Sequence, residues 1–245
     1  MFLKSSKHIP QLTVDCVIFG FHHKKLKLIL SKLKLEKDIY ALPGGFVLQE
    51  EDIEDAAKRV LFERTGIEDV YLEELGTFGR ANRISDEDFQ LFSHLAKELY
   101  PDVEPPINEK NQKMRLVSIA YYALVDFEKV IPKKIDLDES CDWYDSQDLP
   151  HMIFDHREMA EKGLEVLRDN LDKKLLFNNL LSETFTMREL QELYETVYDK
   201  PFPANNFQKK ILDLNILERL DKKFTGAKSK APYLYRLKSN LSNKG

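Results

Sequence analysis

Two groups of residues in this sequence have types and spacing that could do chemistry. In the first, Leu42-Pro43-Gly44-Gly45-Phe46 leads to Glu51, and Arg59, Glu63 and Arg64 follow before Gly66-Ile67. Carboxylates beside a glycine turn are the donors a hard divalent cation takes, because Mg²⁺ prefers oxygen ligands. The second group runs Asn205, Asn206, Gln208, Lys209 and Lys210, with Arg188 upstream and Lys222, Lys223, Lys228 and Lys230 downstream. Amides there can read base edges while lysines neutralise phosphates; the rival reading is that Asn205 or Asn206 caps a helix. Other candidates are weaker. His22-His23 lacks an acidic or cysteine partner at ligand spacing and reads as a turn. Cys16 and Cys141 stand outside any CxxC pair, which argues against a disulfide framework or a zinc site. Asp15 shares a strand face with Thr13 and Val17, so it points into a pocket or out to water.

Strands must come first to position these groups. Residues 12–19 are rich in β-branched and aromatic types, residues 25–30 begin in alternation, and Gly20-Phe21-His22-His23-Lys24 is a hairpin-length connection. Residues 51–64 turn helical, with Ile53, Ala56, Ala57, Val60 and Leu61 as a core stripe and Gly66 as the expected left-handed cap. Apolar strands follow around residues 70–78 and 116–125. Between them, residues 85–113 read as a long loop with one short helix near 89–99. Residues 155–171 are helical, and shorter helices are expected at 173–178, 187–197 and 204–214. Thr186 and Glu189 form a capping box, and Leu190, Leu193, Tyr194 and Val197 share an apolar face. Asp199-Lys200-Pro201-Phe202-Pro203 breaks the chain. Asn205 opens the next helix, with Phe207, Ile211 and Leu214 inward. The end reads as a hairpin around a Lys/Gly/Ser loop. The expected organisation is a domain over 1–155, a linker helix over 156–172, and a second domain over 173–245.

Charge divides along the same line. Residues 200–245 hold eleven Lys/Arg against three Asp/Glu, a balance of +8, while residues 1–199 hold 26 against 39, a balance of −13. Such a split points to a polyanion-binding end attached to a different activity. With 42% apolar and 32% charged residues, the composition is that of a soluble globular protein. The longest uncharged apolar run, residues 116–125, is half of the roughly 20 a membrane span needs. MFLKSSKHIP lacks the apolar stretch of a signal peptide, so a reduced, cytoplasmic protein is expected.

The first group stands in register with a known box. Gly45, Glu51, Arg59, Leu61, Glu63, Gly66 and Ile67 match the Nudix signature, and the chain resembles that family over residues 10–150. The resemblance implies an αβα sandwich and a reaction that cleaves nucleoside diphosphates with Mg²⁺, held by carboxylates on one helix face. Here those positions are Val60, Glu63 and Arg64. An isopropyl group cannot ligate a metal, and a guanidinium stays protonated and repels one. The scaffold is therefore expected without the hydrolase, with no catalytic residue, metal or cofactor. The alternative is an active Nudix hydrolase of a substrate such as ADP-ribose, with Glu109 helping Glu51 and Glu63.

Taken with Phe154-Asp155-His156, Phe185-Thr186-Met187-Arg188-Glu189-Leu190, Asn206-Phe207-Gln208-Lys209-Lys210 and Pro232-Tyr233-Leu234-Tyr235-Arg236, nearly the whole chain resembles the Nudix-related transcriptional regulators. These include NrtR-type repressors of NAD metabolism and regulators of sugar utilisation, L-arabinose among them. The fold class implied is α/β plus a C-terminal winged helix-turn-helix. The function implied is a dimeric repressor that binds a double-stranded operator and a small effector, either ADP-ribose or a pentose. Tyr40, Phe46, Arg80 and Tyr121 lie on segments that could line the effector pocket, and the acidic balance of residues 1–199 leans toward a neutral sugar. An interaction module without DNA affinity is a third reading.

Overall fold

The computed structural model describes residues 7–68, 70–99, 115–222 and 231–238. Glu109, the proline-rich stretch 101–106, and Lys223, Lys228 and Lys230 lie outside the described residues. The chain opens with β1 (His8–His22) and β2 (Lys25–Leu33), both longer than the apolar pattern predicts. The whole connection shrinks to His23 and Lys24, each with positive φ, as a tight two-residue hairpin turn requires. Two short strands follow, β3 (Tyr40–Ala41) and β4 (Gly44–Leu48), then α1 (Ile53–Thr65). Gly66 at φ 71° closes α1 in the expected left-handed cap. Next come β5 (Tyr71–Phe78), α2 (Asp86–Leu99), β6 (Val117–Val125) and β7 (Asp138–Asp145).

These seven strands form one sheet. At its centre β1 runs parallel to β6 from Leu12↔Val117 to Gly20↔Val125, and its other edge is shared by β4 and β2. The pleat sorts residues by parity. Val14, Cys16, Ile18, Tyr121 and Ala123 face α1, meeting Ala56, Ala57, Val60 and Leu61. Val17, Phe19, Ala120, Tyr122 and Leu124 face the opposite layer, led by α3 (His156–Asn170) through Met159, Ala160 and Leu167. Gly163 allows the close approach: a Cβ there would stand 3.1 Å from Val17 Cγ1. The helix expected as a linker is thus packed onto the sheet, completing the αβα sandwich.

The remaining chain forms α4 (Phe177–Leu180), β8 (Phe185–Thr186), α5 (Met187–Tyr198), α6 (Ala204–Asp213), β9 (Leu217–Lys222) and β10 (Tyr233–Leu237). Strands β8, β10 and β9 make a small antiparallel sheet, the wing. The expected capping box forms in full: Glu189 N–H donates to Thr186 Oγ1 at 3.2 Å and Thr186 N–H to Glu189 Oε2 at 2.6 Å. Phe177, Phe185, Tyr194 and Phe207 build an aromatic core, and it is continuous with the α3 side of the main sheet. Among the described residues no helix is long and apolar enough to cross a membrane.

Candidate functional site

The box residues are tied up internally. Glu51 accepts Leu48 N–H at 2.8 Å, Arg59 Nε at 3.0 Å and Arg59 Nη2 at 2.6 Å. The Arg59 hydrogen bond holds the Glu51 carboxyl below the usual range. Arg59 also donates to Phe46 O at 2.9 Å and lies 3.5 Å from Glu63, so it staples β4 to α1. Val60 is buried beneath Gly45. Arg64 turns inward to a buried ion pair with Asp138, which also accepts Ile135 N–H at 2.9 Å. These residues do not fit a divalent cation: one position is alkyl, one is a paired guanidinium, and the two glutamates already hold Arg59.

Beside this pair lies a cavity of about 130 Å³, bounded by β1, β2, β4, the end of α1, α2 and the start of α3. Its polar lining includes Asp15, Ser31, Arg64, Arg83, Asp138 and His156; Leu33, Phe46, Phe92, Leu116 and Phe154 supply apolar wall. Asp15 takes the inward option and accepts a hydrogen bond from Ser118 Oγ. Gly44 makes room for it, since a Cβ there would overlap Asp15 Oδ1. His156 Nδ1 accepts Leu42 N–H at 3.0 Å, so its proton sits on Nε2, 3.8 Å from Asp15 Oδ1. Burial pulls the His156 pKa down, against the opposing charge of Asp15. Arg83 is held by Asp155 at 2.6 and 3.0 Å. Among the described residues the buried Ser31 Oγ has no hydrogen-bond partner.

Four residues were expected at an effector pocket, and the structure brings one of them, Phe46, to this cavity. Tyr121 is in register with Cys16 and so faces α1 in apolar core, one step out of phase with Asp15↔Ala120. Tyr40 packs edge-on to Tyr144 at 5.1 Å. Arg80 lies outside, paired with Glu158 at 2.7 and 3.0 Å. Arg83, Asp138 and His156 also line the cavity and are not among the residues the sequence singles out for it. His156 stands within the Phe154-Asp155-His156 motif, a usable signal, whereas nothing local links Asp138 to Arg64, 74 residues earlier.

At the basic end, Asn205, Asn206, Gln208, Lys209 and Lys210 are all exposed on α6. The N-cap is Pro203, with no side-chain capping bond, so neither asparagine caps the helix. Lys210 leans to Asp172 at 3.6 Å, leaving Lys209 as the more outward lysine. Leu214, expected inward, is 49% exposed because α6 ends at Asp213 and the chain turns away. Arg188 is 79% exposed and pairs with Glu192 at 2.8 Å. Arg188 and Gln208 border one groove of about 600 Å³ with Tyr233 of the wing, over whose ring Arg219 sits at 4.6 Å.

Comparison with known proteins matches residues 9–161 to the family described as NUDIX domain, and residues 177–237 to the NrtR DNA-binding winged helix domain. The "ADPR responsive transcriptional repressor NtrR" of Acinetobacter baylyi is 26% identical over 241 residues, covering 96% of this chain and 85% of that protein. The crystal structure of Shewanella oneidensis NrtR complexed with a 27mer DNA matches at 24% identity and a TM-score of 0.68, covering 94% of this chain and 95% of that one. A MutT/nudix family protein from Enterococcus faecalis matches at 22% identity and a TM-score of 0.65, covering 94% and 87%.

Proposed function

We infer the function from one premise: the chain belongs to the Nudix family, joined to an NrtR-type DNA-binding winged helix. It is a transcriptional repressor of a metabolic operon. It grips operator DNA through α6 and the wing, and it releases that DNA when a small metabolite enters the Nudix domain. The Arg64–Asp138 pair carries this reading. Two of the three positions that serve the family's metal, Val60 and Arg64, are here part of the core and Glu63 alone stays exposed, so the adjoining cavity can hold a metabolite without cleaving it. The protein is not a hydrolase. The reading includes a homodimer in the cytoplasm, since a palindromic operator read by paired recognition helices would demand two-fold symmetry.

ADP-ribose is the first effector to test, because the Acinetobacter relative is named as responsive to it. A free pentose is the second reading, favoured by the site itself. The cavity of about 130 Å³, close to the ~150 Å³ that holds a benzene-sized guest, is nearer in scale to one monosaccharide than to a ligand with an adenine, two ribose rings and a diphosphate. Arg59, Arg64, Arg80 and Arg83 each already hold a carboxylate, which disfavours a diphosphate. The functional test screens genomic fragments for retention by the effector-free protein and, in a separate reaction, incubates the protein with ADP-ribose and Mg²⁺. Discrete retained fragments without AMP release support the repressor. Steady Mg²⁺-dependent AMP release with no retained fragment overturns it in favour of the hydrolase.

A further inference from the structure

We propose that the β1–β2 hairpin is the lever that carries effector occupancy to the DNA-binding groove, acting through Lys24 and Glu192. The proposal rests on the repressor reading and names how its effector site is read out. Both strands reach the cavity at one end, through Asp15 on β1 and Ser31 on β2. Seven residues from Ser31, roughly 23 Å along β2 at the usual strand rise, Lys24 of the turn docks on α5. Lys24 Nζ lies 3.1 Å from Glu192 Oε1, and the Lys24 carbonyl lies 3.1 Å from Thr196 Oγ1, whose single proton it shares with the Glu192 carbonyl at 2.7 Å. The hairpin between these ends is stiff. Its turn has two residues, β2 is paired to β7 from Lys27 to Leu33, and β1 is paired to β6 over nine residues.

The far end of the lever meets a shared acceptor. Glu192 Oε1 takes Lys24 and also Arg188, which borders the same groove as Gln208. A shift of the hairpin tip therefore changes how firmly Arg188 is held by protein and how freely it turns to a phosphate. Effector and DNA then bias one element from opposite ends, and linkage makes each weaken the other by the same factor.

The test measures a coupling factor, the ratio of operator Kd with and without effector. Lys24→Glu places like charges at the tip, and Lys24→Arg keeps the attraction to Glu192 and leaves the Arg188 acceptor in place. Because the readout is a ratio, uniform changes in DNA affinity from added charge cancel. An operator duplex selected from a random pool is titrated with ADP-ribose and with aldopentoses as the probes. The expected result is a coupling factor at least threefold closer to one in Lys24→Glu, with effector affinity in the absence of DNA unchanged within twofold. Lys24→Arg should keep the parent's factor. A Lys24→Glu factor equal to the parent's overturns the lever and leaves the repressor intact. A parent protein that binds no operator, or answers no probe, overturns both.

Discussion

At the scale of single residues, the Arg64–Asp138 pair makes the sharpest claim, because both partners are almost wholly buried. Removing one leaves an uncompensated charge in the core, so Arg64→Ala or Asp138→Ala should each cost about 3–5 kcal/mol. Replacing both with apolar residues of similar size should be close to neutral, which denaturant titration of the single and double variants will check. His156 gives a second prediction, this time in pH. Its folded pKa lies below the ordinary 6.5, chiefly through burial. Between those two values the unfolded chain binds the extra proton, so stability rises with pH and is lost as pH falls below about 6.5. The slope is at most about 1.4 kcal/mol per pH unit for one group. Gln at position 156 can still accept Leu42 N–H but does not titrate. His156→Gln should therefore flatten the melting temperature between pH 6.5 and 5 relative to the parent.

At the scale of elements, α6 separates two kinds of DNA contact. Lys209→Ala should weaken specific and random DNA alike and reduce the log–log salt slope by about 1, because a phosphate contact carries no sequence information. Lys210→Ala should change that slope less, since Asp172 already takes part of its charge. Asn206→Ala and Gln208→Ala should instead erode discrimination by roughly 1–3 kcal/mol, as lost amide pairs with adenine do. With Pro203 as N-cap, these variants should leave the melting temperature nearly unchanged. Equal loss of specific and random binding in all four would move base readout off this helix. Elements were the most legible level of the sequence, because their signals are local. The Thr186–Glu189 box, Gly66 and the Ala56-Ala57-Val60-Leu61 stripe each fix a helix within a few residues. The cavity was less legible, since its walls come from β1, β2, α1, α2 and α3 at once. Parity along β6 placed Tyr121 on the wrong face for it, and no local pattern tells which strand register will hold.

At the scale of the whole molecule, the two domains are less separate than charge and composition imply. One apolar cluster runs from Val17 and Phe19 through Leu167 and Phe177 to Leu190 and Phe207. Lys174 adds a polar tie to Glu73 at 2.6 Å, where Tyr122 also donates at 2.9 Å. A winged helix anchored in this way cannot swing freely, so effector control must pass through small shifts of packed elements. The central claim is that metabolite and operator oppose each other on this one molecule. Fluorescence anisotropy of a labelled operator duplex at fixed salt, with and without saturating effector, tests it most directly. The account predicts tight binding without effector and a Kd raised about 5–150-fold with it, the usual range of allosteric coupling. An operator Kd that stays the same at saturating ADP-ribose and at every aldopentose would contradict it.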